Sequence, residues 1–103
     1  MASTPAAPAV PETDTSTSTR LAPRWKVILH NDDVTTFAFV IDILMRLFKK
    51  PSQEAVLLTN EIHHRGLALI TVTSFELAEH YVEQVRSLAR PRGFPLTATM
   101  EPE

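Results

Sequence analysis

Apolar and polar positions begin to order themselves at Trp25. The run WKVILH, Trp25 to His30, is rich in β-formers and short, which predicts a strand. Asn31, Asp32 and Asp33 break the apolar run, and Thr35 or Thr36 stands where a helix cap belongs. Phe37, Val40, Ile41, Leu44 and Leu47/Phe48 then recur at helical spacing. Lys49 and Lys50 suit the carbonyl end of that helix, and Pro51 ends it. A second helix starts at Pro51-Ser52, carries Ala55, Leu58 and Ile62 on one side, and ends in HHRG with Gly66 just past its last turn.

LALITVT is a second strand. Thr73 and Glu76 have capping-box spacing for a third helix, with Leu77, Tyr81, Val85 and Leu88 on one face and a stop at Pro91. In PLTATME, Leu96, Ala98 and Met100 alternate with Thr97, Thr99 and Glu101, as in a half-buried strand. The order is β-α-α-β-α-β. It predicts an α+β two-layer sandwich over residues 24–103, a three-stranded sheet packed against helices.

Residues 1–23 differ in kind. They hold four of the eight prolines and a Ser/Thr run, with almost no large apolar side chain, so a disordered tail is expected. Glu12 and Asp14, without Arg enrichment, argue against a transit peptide. The remaining composition excludes more than it suggests. A net charge of -2 gives no electrostatic reason for nucleic-acid binding. There is no cysteine to cross-link, no long apolar run to span a membrane and no secretory signal pattern. A cytoplasmic protein is expected.

Candidate chemistry lies in Asn31, Asp32, Asp33, Thr35 and the His63-His64 pair, with His30 and His80. One reading is an enzyme or metal site, and the spacing opposes it. Adjacent side chains on an extended strand point to opposite faces, and adjacent helix residues diverge by about 100°. HExxH, the nucleophile elbow and phosphate-binding glycine loops are absent, in a chain with two glycines. A second reading is a solvated Asx turn at a helix entry, since Asn and Asp bond their own backbone there. A third is a recognition pocket. Asn31 and Asp33 lie two apart and can share a side; His63 joins them if the second helix ends nearby. An amide oxygen, a carboxylate and a neutral imidazole nitrogen are three acceptors, the complement of a primary ammonium. Val40, Ile62 and Leu96 would take up the side chain next to it.

WKVILHNDDVTTFAFVIDIL, EIHHRGLA, ELAEHYVEQVRSLAR and FPLTATMEPE together resemble the ClpS family, adaptors of the bacterial N-end rule. The resemblance runs from Trp25 to the C-terminus. It implies binding of proteins that begin with Leu, Phe, Tyr or Trp, and their delivery to a Clp AAA+ unfoldase of ClpA or ClpC type with its peptidase. By position it implies that Asn31, Asp33 and His63 hold the substrate's α-amine, with Asp32 supporting the loop. Thr35, Phe37, Val40, Thr59, Ile62 and Leu96 would line the side-chain pocket. Glu76 and Tyr81 would contact the unfoldase, and the tail would be presented to its pore. A monomeric, non-catalytic protein without metal or cofactor is implied. Phe37 and Thr59 stand where the family often has Met, which implies an altered ranking of first residues.

Overall fold

The computed structural model describes residues 22–103. The expectation for residues 1–23 therefore falls, but for Ala22 and Pro23, outside the described residues. Trp25–His30 forms β1, the middle of a three-stranded sheet of order β2-β1-β3, where β2 is Leu67–Thr73 and β3 is Thr97–Pro102. Both neighbours run antiparallel to β1. Trp25 lies opposite Thr73 and Pro102, and His30 opposite Leu67 and Thr97, with a bulge toward β2 between Val27 and Ile28. Val27, Leu29, Ala68, Ile70 and Ala98 turn inward and are buried, while Leu67, Leu69, Thr97 and Thr99 stay exposed on the other face. The pleat thus gives the sheet one buried face, and the helices cover it.

The helices are α1 (Phe37–Arg46), α2 (Ser52–Arg65) and α3 (Phe75–Ala89), followed by a 3-10 turn at Arg90–Arg92. The expected architecture is the observed one. Two helix faces differ from the sequence reading. In α1, Phe39, Val40, Ile43 and Leu44 are buried while Phe37 is exposed and Ile41 only half-buried. Thr36 is the N-cap, its hydroxyl accepting from Phe39 N at 3.2 Å, so Phe37 occupies the overhanging first turn. In α3 the buried line is Ala78, Val85 and Ala89, with Tyr81 and Val82 packed beside it; Leu77 and Leu88 are exposed. Bulk misled the reading here, because small side chains bring this helix close to the sheet. Its cap is Ser74, whose hydroxyl accepts from Leu77 N at 3.2 Å, and not Thr73, which closes β2 opposite Trp25.

The two helix ends nearest the loops are built differently. At the end of α2, Gly66 takes φ 92° and donates its N–H to Ile62 O at 2.9 Å, a conformation that suits glycine. After α1, Lys50 N donates to Leu44 O at 2.9 Å and Lys49 takes the left-handed position at φ 61° without being glycine. Relief of that backbone cost leads to an expected result: Lys49→Gly raises stability by about 0.5–1 kcal/mol in urea denaturation. An unchanged or lower midpoint would show that the lysine side chain offsets the strain. Among the described residues no helix is long and apolar enough to cross a membrane.

Candidate functional site

The site forms where β1 runs out. Asn31 donates its backbone N–H to Gly66 O at 2.9 Å, which fastens the end of β1 to the end of α2 and sets His63 near the acidic loop. The loop is shaped by Asp32. One of its carboxylate oxygens accepts from Val34 N at 2.8 Å and Thr35 N at 2.6 Å, and the other accepts from Thr35 Oγ1 at 2.8 Å. This is an Asx turn feeding a helix, so the second reading of NDD correctly describes Asp32. Partial burial raises the pKa of Asp32, but the hydrogen bonds from Thr35 and Val34 and the nearby Arg90 charge outweigh that and hold it below the ordinary carboxylate value.

The neighbouring acceptors are left for other use. Asn31 and Asp33 are exposed at the surface, and among the described residues their side chains have no hydrogen-bond partner. The rings of His63 and His64 meet edge-on with centroids 5.3 Å apart, but each has a different further partner. His64 Nδ1 is 2.8 Å from Asn60 O on its own helix, whereas the His63 ring meets Phe37 edge-on with centroids 5.1 Å apart. Those aromatic rings flank a cavity of about 300 Å³ lined by Asn31, Asp32, Asp33, Thr35, Phe37, Val40, Thr59, Ile62, His63 and Leu96. That volume is at the small end of ligand clefts, roughly 300–1,000 Å³. Val40, Thr59, Ile62 and Leu96 are buried and form its floor, while Phe37, 44% exposed, stands at its rim. The Thr59 hydroxyl donates to Ala55 O at 2.7 Å, so a polar residue sits in the floor without an unpaired proton.

The cleft therefore brings together every residue read from the sequence for the amine and side-chain positions. It also includes Thr36, which the sequence reading gives only as a cap, and His30, which that reading gives as a chemical candidate without a place in the pocket. Adjacency to Phe37 is the sequence signal for Thr36, while His30, at the end of β1, has its Nε2 2.7 Å from Thr99 Oγ1. Glu76 and Tyr81 do not line the cleft. Glu76 is exposed in the first turn of α3 beside exposed Phe75 and Leu77, while half-buried Tyr81 stacks on Phe48 with centroids 4.5 Å apart. Five residues along a helix turn by about 140°, so the two point to different sides. Among the described residues no three His, Asp or Glu side chains gather as a metal site.

A two-layer domain holding a half-open cleft, acceptors at one end and hydrocarbon at its floor, is a ligand-binding module. Comparison with known proteins gives the module its family. The family described as "ATP-dependent Clp protease adaptor protein ClpS" matches residues 20–99. The ClpS adapter of Desulfatibacillum aliphaticivorans is 46% identical over 79 residues, covering 77% of this chain and 76% of that protein. That of Myxococcus xanthus is 35% identical over 100 residues, covering 89% and 94%. Agrobacterium tumefaciens ClpS2, solved bound to L-phenylalaninamide, superposes with a TM-score of 0.76 at 32% identity, covering 79% of this chain and 98% of that one. The chain belongs to the ClpS family and is an adaptor of the Clp protease.

Proposed function

We propose that this adaptor selects proteins by their first residue and presents them to a Clp AAA+ unfoldase of ClpA or ClpC type. The observation that carries the reading is the polarity of the cleft. Asn31, Asp33 and His63 offer acceptors at one end, and Val40, Ile62 and Leu96 offer hydrocarbon at the other. An N-terminal residue has the same two ends: an ammonium with three donors and, one carbon away, a side chain. The molecule bound to the Agrobacterium relative, L-phenylalaninamide, has a free α-amine, a benzyl side chain and an amide in place of the first peptide bond. It supports a ligand of that shape here. Asp32 serves as loop support, while Thr35 completes the wall and Thr59 the floor. No bond is made or broken, so the protein acts as a non-catalytic carrier and works as a monomer. On the delivery side, exposed Glu76 with Phe75 and Leu77 is the surface offered to the unfoldase, with Tyr81 bracing the helix from within through Phe48.

The test is direct binding of short peptides that differ only in residue one. Leu, Phe, Tyr and Trp peptides with free amines are expected to bind, and Ala, Ser and Glu peptides to bind much more weakly. Indifference to residue one would refute the reading. A pH series adds a second check. The ligand's α-amine has a pKa of roughly 7.7–8.0, so affinity falls as pH rises through that range and the ammonium is lost. At the acid end, Asp32 has a folded-state pKa below its unfolded value of about 3.9. Its contribution to holding the loop is fully present above about pH 5 and is lost as pH falls through the depressed folded value. The expected profile falls as pH rises through the range of the α-amine and falls again in acid, where Asp32 no longer holds the loop. Affinity unchanged at pH 9.5 would mean that the ligand does not bind through its charge.

A further inference from the structure

We propose that Arg90 is a positioning residue for the side-chain pocket, fixing from outside the cleft the backbone that carries Leu96. The inference rests on the role just given to the cleft. Leu96 is 1% exposed and lines the cavity, yet it stands before β3 and outside the sheet ladder. The pairing of β3 begins only at Thr97, opposite His30. The pairing of β1 therefore does not set the backbone at Leu96, and another device must.

Arg90 supplies it. One guanidinium nitrogen, Nη1, donates to Phe94 O at 3.0 Å and to Leu96 O at 2.9 Å, bracketing Pro95. The root of the side chain is firm, because Arg90 caps α3 through its backbone N–H to Arg86 O, and Phe94 N returns to Ala89 O at 3.1 Å. The helix end, the guanidinium and the Phe94–Leu96 backbone form a closed bracket. Arg90 also lies near enough to the carboxylate of Asp32 to stabilise its charge. The geometric tie is to the floor of the cleft, through the carbonyls on either side of Pro95.

The test is a double-mutant cycle, Arg90→Gln against Leu96→Ala, read by the affinities of Phe- and Ala-initiated peptides. Arg90→Gln is expected to weaken the Phe peptide roughly threefold to tenfold, less than the loss of a direct charged hydrogen bond because Arg90 acts through the backbone at Leu96. It should leave the Ala peptide nearly unchanged, since that ligand hardly reaches Leu96. In the Leu96→Ala background the same change should have no further effect on the Phe peptide, because coupled residues are non-additive. Additive losses, or equal losses for both peptides, would make Arg90 a general surface contact and overturn the proposal.

A second readout needs no ligand. Methyl relaxation should show Leu96 as rigid as Leu29 in the wild-type protein and more mobile in the variant. This separates the two failures. If wild type does not distinguish residue one, the cleft's proposed function falls while the relaxation data still decide what Arg90 holds. If wild type discriminates and Leu96 stays rigid in the variant, the Arg90 proposal alone falls. Arg90→Lys replaces Arg90→Gln if the latter does not fold; failure of both to fold would make Arg90 a folding residue and overturn the positioning role.

Discussion

Asp33→Ala is expected to lower the affinity for a Phe- or Leu-initiated peptide at least tenfold, and acetylation of the peptide's amine to lower it further. Asp33 stands at the polar end of the cleft, and its neighbour Asp32 is already committed to Val34 and Thr35. Only one of the two adjacent carboxylates is therefore available to a ligand. A hydrogen bond between charged partners contributes roughly 1.5–3 kcal/mol, which is about tenfold to a hundredfold in binding. Acetylation removes the positive charge and two of three donors together, and sites built to bond a group reject analogues lacking it by factors of roughly 10⁴. Titration calorimetry with free and acetylated peptides gives both numbers. Equal binding of the two forms would end the assignment of an amine pocket. An unaltered affinity in Asp33→Ala alone would shift the ammonium toward Asn31 and His63.

The largest effect on stability is expected from Leu29→Ala, a loss of about 2–5 kcal/mol. Leu29 is 0% exposed, opposite Ala68 in β2 and Ala98 in β3. With alanine on both flanks, little neighbouring bulk is available to collapse into the space left behind. Domains of this size carry roughly 5–15 kcal/mol in total, so this one substitution removes a large share. Asn31 is two residues further along the chain, just past the end of β1, and weakened peptide binding is expected at temperatures where wild type still binds. Urea unfolding measures the change. A loss under about 1 kcal/mol would mean that the core repacks around the gap.

The strands and their succession along the chain were legible because their signals are local. WKVILH and LALITVT are short β-rich runs, and Leu96, Ala98 and Met100 alternate with threonines and an acid. The helix faces were less so. Leu77 and Leu88 attract attention by size, yet the sheet is approached through Ala78 and Ala89, and nothing in an alanine shows whether it was chosen for close packing. The cleft was legible in its residues but not in its closure. That Asn31 and Asp33 can share a side follows from strand geometry; that α2 ends beside them depends on the Asn31 to Gly66 hydrogen bond between segments thirty-odd positions apart. Arg90 escaped notice for a related reason. In the sequence it is one more basic residue at a helix end, and its two carbonyl partners appear only once the following turn is folded.

The central place of β1 in the sheet also has a mechanical meaning. A pull applied to the chain ahead of Arg24 draws β1 lengthwise between β2 and β3, so the hydrogen bonds of both ladders are loaded together. A pull applied at Glu103 loads β3, an edge strand bonded to β1 alone. Resistance to force is governed by the unfolding rate along the direction pulled, not by equilibrium stability. The domain should accordingly be dismantled more slowly by a processive unfoldase when a degradation tag precedes residue 22 than when the same tag follows Glu103. Comparing the turnover of the two fusions measures that anisotropy. If it is present, the strand that ends in the cleft is also the one most strongly anchored against a machine drawing on the N-terminal side.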